Sequence, residues 1–146
     1  MAKDSFSEEE QKQIINAIKA AEKRTSGEIR VHIENHCKED VLDRAAYLFE
    51  ELEMHKTDAR NGVLFYLAMK DHKFAILGDV GINQKVPKGF WDEVSQLMSQ
   101  HFRKEDFVGG ISKAAEMTGK NLEEHFPYQK GDINELSDEI SFGDGK

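Results

Sequence analysis

The chain has 146 residues, with 20 Lys and Arg against 28 Asp and Glu and a formal net charge of −8. A nucleic-acid binder needs a basic stripe to replace phosphate counterions, and none is present; anionic membrane surfaces are disfavoured for the same reason. Nine Phe, one Trp and three Tyr supply a core for one domain of ordinary size.

Cys37 is the only cysteine, which excludes an internal disulfide and a four-thiolate metal site and fits a reducing compartment. The first residues contain no apolar h-region. The longest apolar run, 63–69, is far shorter than the roughly 20 residues a membrane span needs. These features lead to the expectation of a cytoplasmic monomer without a membrane span.

In chain order, Ser7 and Glu10 have the spacing of a capping box and open a helix over 8–24, with Ile14, Ile15, Ile18 and Ala21 on one stripe. Gly27 suits the stop that follows. Residues 28–34 alternate, with Ile29, Val31 and Ile33 against Arg30, His32 and Glu34. This predicts a strand with one buried face. Asp40 is placed to cap a second helix over 41–54. Residues 63–69 form a continuous apolar run, as in a central strand covered on both sides. A tight turn at 70–72 then returns the chain antiparallel through 74–77. Residues 78–83 read as a turn-rich loop. Pro87 can start the next helix, whose stripe is Phe90, Val94, Leu97, Met98 and Phe102. Asp106 caps a last helix over 107–124. The segment from Pro127 is acidic and without period; it reads as a disordered tail (127–146) beside a domain over 1–126.

The order α-β-α-β-β-α-α contains one βαβ unit, so the first two strands are expected parallel with a right-handed crossover. The fold class that follows is α/β, a sandwich with a mixed central sheet and helices on both faces. This topology gathers distant residues on one rim of the sheet. Glu28 starts the first strand, Asp58, Arg60 and Asn61 precede the second, and Gly78, Asp79 and Gly81 follow the third. Carboxylates, an amide and main-chain carbonyls are the ligands of hard cations such as calcium or magnesium. The competing structural reading is that Asp58 and Asn61 cap turns and Arg60 pairs with one of the acids.

The opposite end carries Asn35, His36, Cys37, Asp71 and His72. It lacks the close-spaced ligand pairs of a zinc site, so these read as ordinary loop residues. The P-loop, nucleophile-elbow, zincin-helix and EF-hand patterns are absent.

Three blocks of the chain, Thr25-Ser26-Gly27-Glu28-Ile29-Arg30-Val31, Arg60-Asn61-Gly62-Val63-Leu64 and Ile76-Leu77-Gly78-Asp79-Val80-Gly81-Ile82, resemble successive blocks of the TPM domain family. Phe107-Val108-Gly109-Gly110-Ile111 resembles its last block, so the likeness spans about 7–126. The resemblance implies a Rossmann-like sandwich with divalent-cation binding, chiefly calcium, in loops at one end of the sheet. Glu28, Asn61, Gly78, Asp79 and Gly81 are the positions it carries over. Plant thylakoid-lumen members are associated with acid phosphatase activity, and others are membrane-anchored accessory proteins. From its sequence pattern, this chain is expected to depart from those members in lacking an export signal and a C-terminal membrane helix.

Three functions compete. The first is a cation-binding module with a regulatory or interaction role. The second is a metal-dependent phosphatase in which Arg60 stabilises charge and a rim carboxylate orients water. The third is a purely structural partner domain. Oxygen ligands without an evident nucleophile favour the first, with calcium the expected ion and a protein partner left open.

Overall fold

A computed structural model describes residues 6–57, 59–127 and 140–143 of the chain. Helix α1 (Glu8–Glu22) begins at the capping box: Ser7 Oγ accepts from the Glu10 amide and Glu10 Oε1 accepts from the Ser7 amide. Strand β1 (Glu28–Glu34) leads into helix α2 (Val41–Glu51), where Asp40 accepts from the Leu42 and Asp43 amides. Strand β2 (Gly62–Ala68) and strand β3 (Lys73–Gly78) form the hairpin. The short helix α3 (Val80–Asn83) follows, then α4 (Phe90–Arg103) and α5 (Phe107–His125).

The sheet runs β3-β2-β1-β4, with β4 at Ser141–Phe142. Strands β1 and β2 are parallel, in a register that pairs Glu28 with Gly62 and His32 with Tyr66. Strand β3 returns antiparallel, pairing Gly78 with Val63. All seven residues of β2 are buried, because helices cover both faces. On one side Val63, Phe65 and Leu67 join Ile29, Val31 and Ile33 of β1 beneath α1, α4 and α5. On the other, Leu64, Tyr66 and Ala68 pack against Ala45, Leu48 and Phe49 of α2. The α/β sandwich with a mixed sheet is therefore as the apolar pattern predicts.

Three local expectations are corrected. Residues 80–83 form a helical turn rather than loop, since Asp79 caps the Val80 amide and Ile82 is buried as an anchor. The second face of β1 is not solvated: His32 is 5% exposed and Glu34 1%. The segment read as a disordered tail contains β4, which pairs parallel with β1 through His32–Ser141 and Ile33–Phe142. Ile140 is buried in the core beside it, which supplies an apolar reason for this stretch to dock. Residues 128–139 and 144–146 lie outside the described residues.

Candidate functional site

Backbone hydrogen bonds draw the predicted rim together. The Glu28 amide donates to the Asn61 carbonyl at 3.3 Å, the Asp79 amide to Gly62 at 2.9 Å, and the Gly81 amide to Arg60 at 2.8 Å. Glu28, Arg60, Asn61, Gly78, Asp79 and Gly81 thus meet at one end of the sheet, as strand order predicts. Asp58 lies outside the described residues. The close fit of α3 depends on Gly81. A Cβ there would lie 2.1 Å from the Ala59 carbonyl oxygen and 2.6 Å from that of Arg60, so only a residue without a side chain lets these carbonyls approach.

The charges at the rim are distributed unevenly. Asp79 is almost fully buried, and its two oxygens accept from Arg60 Nε at 2.7 Å and Nη2 at 2.9 Å. Its Oδ1 also accepts from the Val80 amide. The hydrogen bond to Asp79 raises the Arg60 pKa further, and such a two-point pair is geometrically specific. Arg60 itself holds φ at 51°, a left-handed conformation uncommon outside glycine. Its side chain is 49% exposed, so the guanidinium covers Asp79 from the solvent side. The pairing of Arg60 with a rim acid foreseen in the structural reading is thus present. A concavity of about 330 Å³ opens beside the pair, between Phe49, Glu50 and His55 on one side and Leu77 and Gly78 on the other.

Glu28 and Asn61 are buried more deeply, at 2% and 1% exposure. The Asn61 amide donates to Thr57 Oγ1 at 3.2 Å, which fixes the loop. Its side-chain oxygen Oδ1, by contrast, is buried with no hydrogen-bond donor among the described residues. A buried amide oxygen without a partner is costly and calls for an explanation. Asn61 Oδ1, the Glu28 carboxylate and the backbone carbonyls at 59–60 belong to the set of hard oxygen donors that a cation of the calcium type takes. Asp79 belongs to that set only when Arg60 releases it. Among the described residues no group of three or more His, Cys, Asp or Glu is arranged to hold a metal ion.

At the opposite end, Asp71 accepts from His36 Nδ1 at 2.9 Å and from the Cys37 amide at 2.7 Å. These bonds lower the Asp71 pKa. Cys37 is buried and its thiol donates to the Glu39 carbonyl. The cluster ties the loop after β1 to the β2–β3 turn.

A second polar cluster escapes the sequence pattern. Glu34 accepts from Arg44 Nε and Nη2, from the Tyr66 hydroxyl at 2.6 Å and from His32 Nε2 at 3.1 Å. Burial pushes the Glu34 carboxyl upward, but the hydrogen bonds from Arg44, Tyr66 and His32 outweigh it, and the net shift is downward. Burial lowers the His32 pKa despite the opposing pull of Glu34. Burial, then the bond to Glu34, raises that of Tyr66. With Glu34 ionised, His32 Nε2 carries the proton that Glu34 accepts, while Nδ1 lies 2.6 Å from the Ser141 hydroxyl, which also reaches the Val31 carbonyl at 3.3 Å. The signal for this cluster in the sequence is only the polar half of an alternating strand. Its burial depends on β4, more than 100 residues downstream.

The TPM domain family model matches residues 2–121. The chain belongs to the TPM domain family. Within the solved structures, this TPM domain is similar to the BA42 protein of the psychrophilic bacterium Bizionia argentinensis. The two share 44% identity and a TM-score of 0.89, over 94% of this chain and 95% of that one. The N-terminal domain of cg2496 from Corynebacterium glutamicum shares the fold at 17% identity and a TM-score of 0.65, over 80% of this chain and 74% of that one. An N-terminal domain from P. gingivalis does so at 17% identity and 0.66, over 85% and 82%. No curated protein matches the TPM domain described here. Among its described residues no helix is long and apolar enough to cross a membrane.

Proposed function

We propose that this TPM domain binds a divalent cation, calcium foremost, at the rim formed by Glu28, Asn61 and the 59–60 carbonyls, and works as a regulatory or interaction module. The observation that carries the reading is the buried, undonated Oδ1 of Asn61 beside the Glu28 segment. A bound ion would satisfy that oxygen. Arg60 supplies the positive charge that Asp79 needs in the meantime. Loading the rim with a doubly charged ion weakens the attraction that holds Arg60 in place, which makes the α3 start the part of the surface that responds.

A binding role is favoured over phosphomonoester hydrolysis by the state of Asp79. The carboxylate best placed to orient a water molecule already accepts from Arg60 and from the Val80 amide. Calcium titration of the nitrogen-15-labelled protein tests the reading. Glu28, Asn61 and residues 78–81 are expected to shift together and saturate. Shifts confined to residues after Pro127 would reject the rim as the site. Hydrolysis of an aryl phosphate that is abolished by chelator and by Asp79→Asn would instead establish the phosphatase.

A further inference from the structure

We propose that an aromatic pocket at the far end of the sheet from the oxygen rim binds a small amphipathic carboxylate: one apolar ring or short chain bearing a single carboxylate. The walls are Phe74 of β3, Phe102 of α4 and Phe107 of α5, and the pocket, open on one side, has a volume of about 240 Å³. A dry cavity of roughly 150 Å³ already accepts benzene, so there is space for a ring and a short substituent. The rings are set by contact with one another. Phe74 and Phe102 meet edge-to-face with centroids 5.3 Å apart, and Phe102 and Phe107 are tilted at 5.3 Å. Gly110 makes room for this arrangement, because a Cβ there would lie 2.7 Å from Phe102 Cε1.

The mouth of the pocket determines the class of ligand. Its ionisable lining residues are His72, Lys73 and Arg103, and neither Asp nor Glu lines it. This is a basic opening on a chain in which acids outnumber Lys and Arg by 28 to 20. Neither Lys73 nor Arg103 makes an ion pair or side-chain hydrogen bond among the described residues. Asp71, the acid next to His72 in sequence, is engaged by His36 and the Cys37 amide. A guanidinium fork matches a planar carboxylate at two points. Lys73 also acts on Asp71 at a distance, which leaves Arg103 as the mouth's free cation among the described residues; aromatic walls with such a mouth therefore select a ligand that is apolar at one end and anionic at the other.

The test is an amide-shift titration in the presence of chelator, which keeps the pocket separate from the cation rim. The probes are phenylacetate, its neutral isostere phenylacetamide, and acetate, which has the head group without the ring. Phenylacetate is expected to move Met69, Phe74, Arg103 and Phe107 together and to saturate in the millimolar range. Each of the other probes should bind about tenfold more weakly, and Arg103→Gln should weaken phenylacetate by about tenfold, as loss of one charge-assisted contact predicts. Arg103 and Lys73 are both exposed, so neither Arg103→Gln nor a parallel Lys73→Gln variant threatens the fold. Equal binding of the three probes, an unchanged affinity in both variants, or the absence of a saturable shift at the pocket would overturn the proposal.

Discussion

Replacing Glu34 with Gln removes one charge from the buried cluster while nearly preserving shape. The Glu34 side chain is 1% exposed, that of Arg44 24%, and the two are joined by a two-point ion pair. Removing one partner of a buried pair costs about 3–5 kcal/mol. Arg44 keeps partial access to water, and the Gln oxygen can still accept from one donor. The expected loss is therefore at the lower end or below it, about 2–3 kcal/mol, a large share of the roughly 5–15 kcal/mol that holds a domain of this size. With a urea dependence of about 2 kcal/mol per molar, the unfolding midpoint at pH 7 should fall by about 1–1.5 M. Tyr66→Phe deletes a single hydroxyl donor to the same carboxylate and should cost about 1.5 kcal/mol. The double variant should lose less than the sum, because both act on one acceptor. Urea unfolding followed by circular dichroism measures all three. A Glu34→Gln protein within about 0.5 kcal/mol of wild type, the range of an ordinary surface change, would refute the idea that this cluster braces β1, α2 and β4.

The same cluster sets a pH dependence. The folded pKa of His32 lies below its ordinary 6.5 and that of Glu34 below its ordinary 4.5. In both cases the unfolded chain takes up protons first, so stability is full above pH 6.5 and declines on acidification, beginning with His32 and steepening below 4.5 as Glu34 follows; Tm that rises as pH falls from 7 to 4 would contradict this. Gly81→Ala forces a Cβ to within 2.1 Å of the Ala59 oxygen and should cost about 1–3 kcal/mol by overpacking, read as a lower Tm; an unchanged Tm would show that the 59–60 backbone yields freely. Truncation after Pro127 removes Ile140 and β4 and should cost about 1.5–3 kcal/mol for the lost apolar burial alone, with faster amide exchange along β1; unaltered exchange would mean that β4 adds nothing. Arg60→Gln takes a positive charge away from the rim and should tighten calcium, read as a lower dissociation constant in calorimetry; weaker binding would show that Arg60 supports the site rather than competing with it.

What was legible in the sequence was what is local or strongly periodic. The Ser7–Glu10 box, the Asp40 cap and the unbroken apolar run of β2 each act over a few residues, and each is realised. The rim was also legible, because chain order through a βαβ unit and a hairpin leaves little choice about which strand ends meet. Asp79 shows the limit of that reasoning. Strand order brings it to the rim, but the bond that occupies it comes from Arg60, whose left-handed backbone no local pattern announces. His32 and Glu34 look like the wet side of β1 until Ser141 and Arg44 are placed against them. Those contacts depend on tertiary pairing and on a two-residue strand too short to have a period of its own. Helix α3 reads as loop in the sequence because Gly78, Asp79 and Gly81 are turn formers; the burial of Ile82 and the Asp79 cap decide otherwise.

The cation rim is tested most directly by calorimetric titration of calcium into the wild-type protein, Asn61→Ala and Glu28→Gln, with circular dichroism confirming that each variant is folded. Asn61→Ala removes the undonated oxygen and Glu28→Gln removes a buried charge without changing its bulk. Saturable binding in the wild type that weakens at least about tenfold in each folded variant, the loss expected for one charged or well-placed oxygen ligand, is the predicted result. One isotherm shared by all three proteins, or no binding to the wild type, would contradict it.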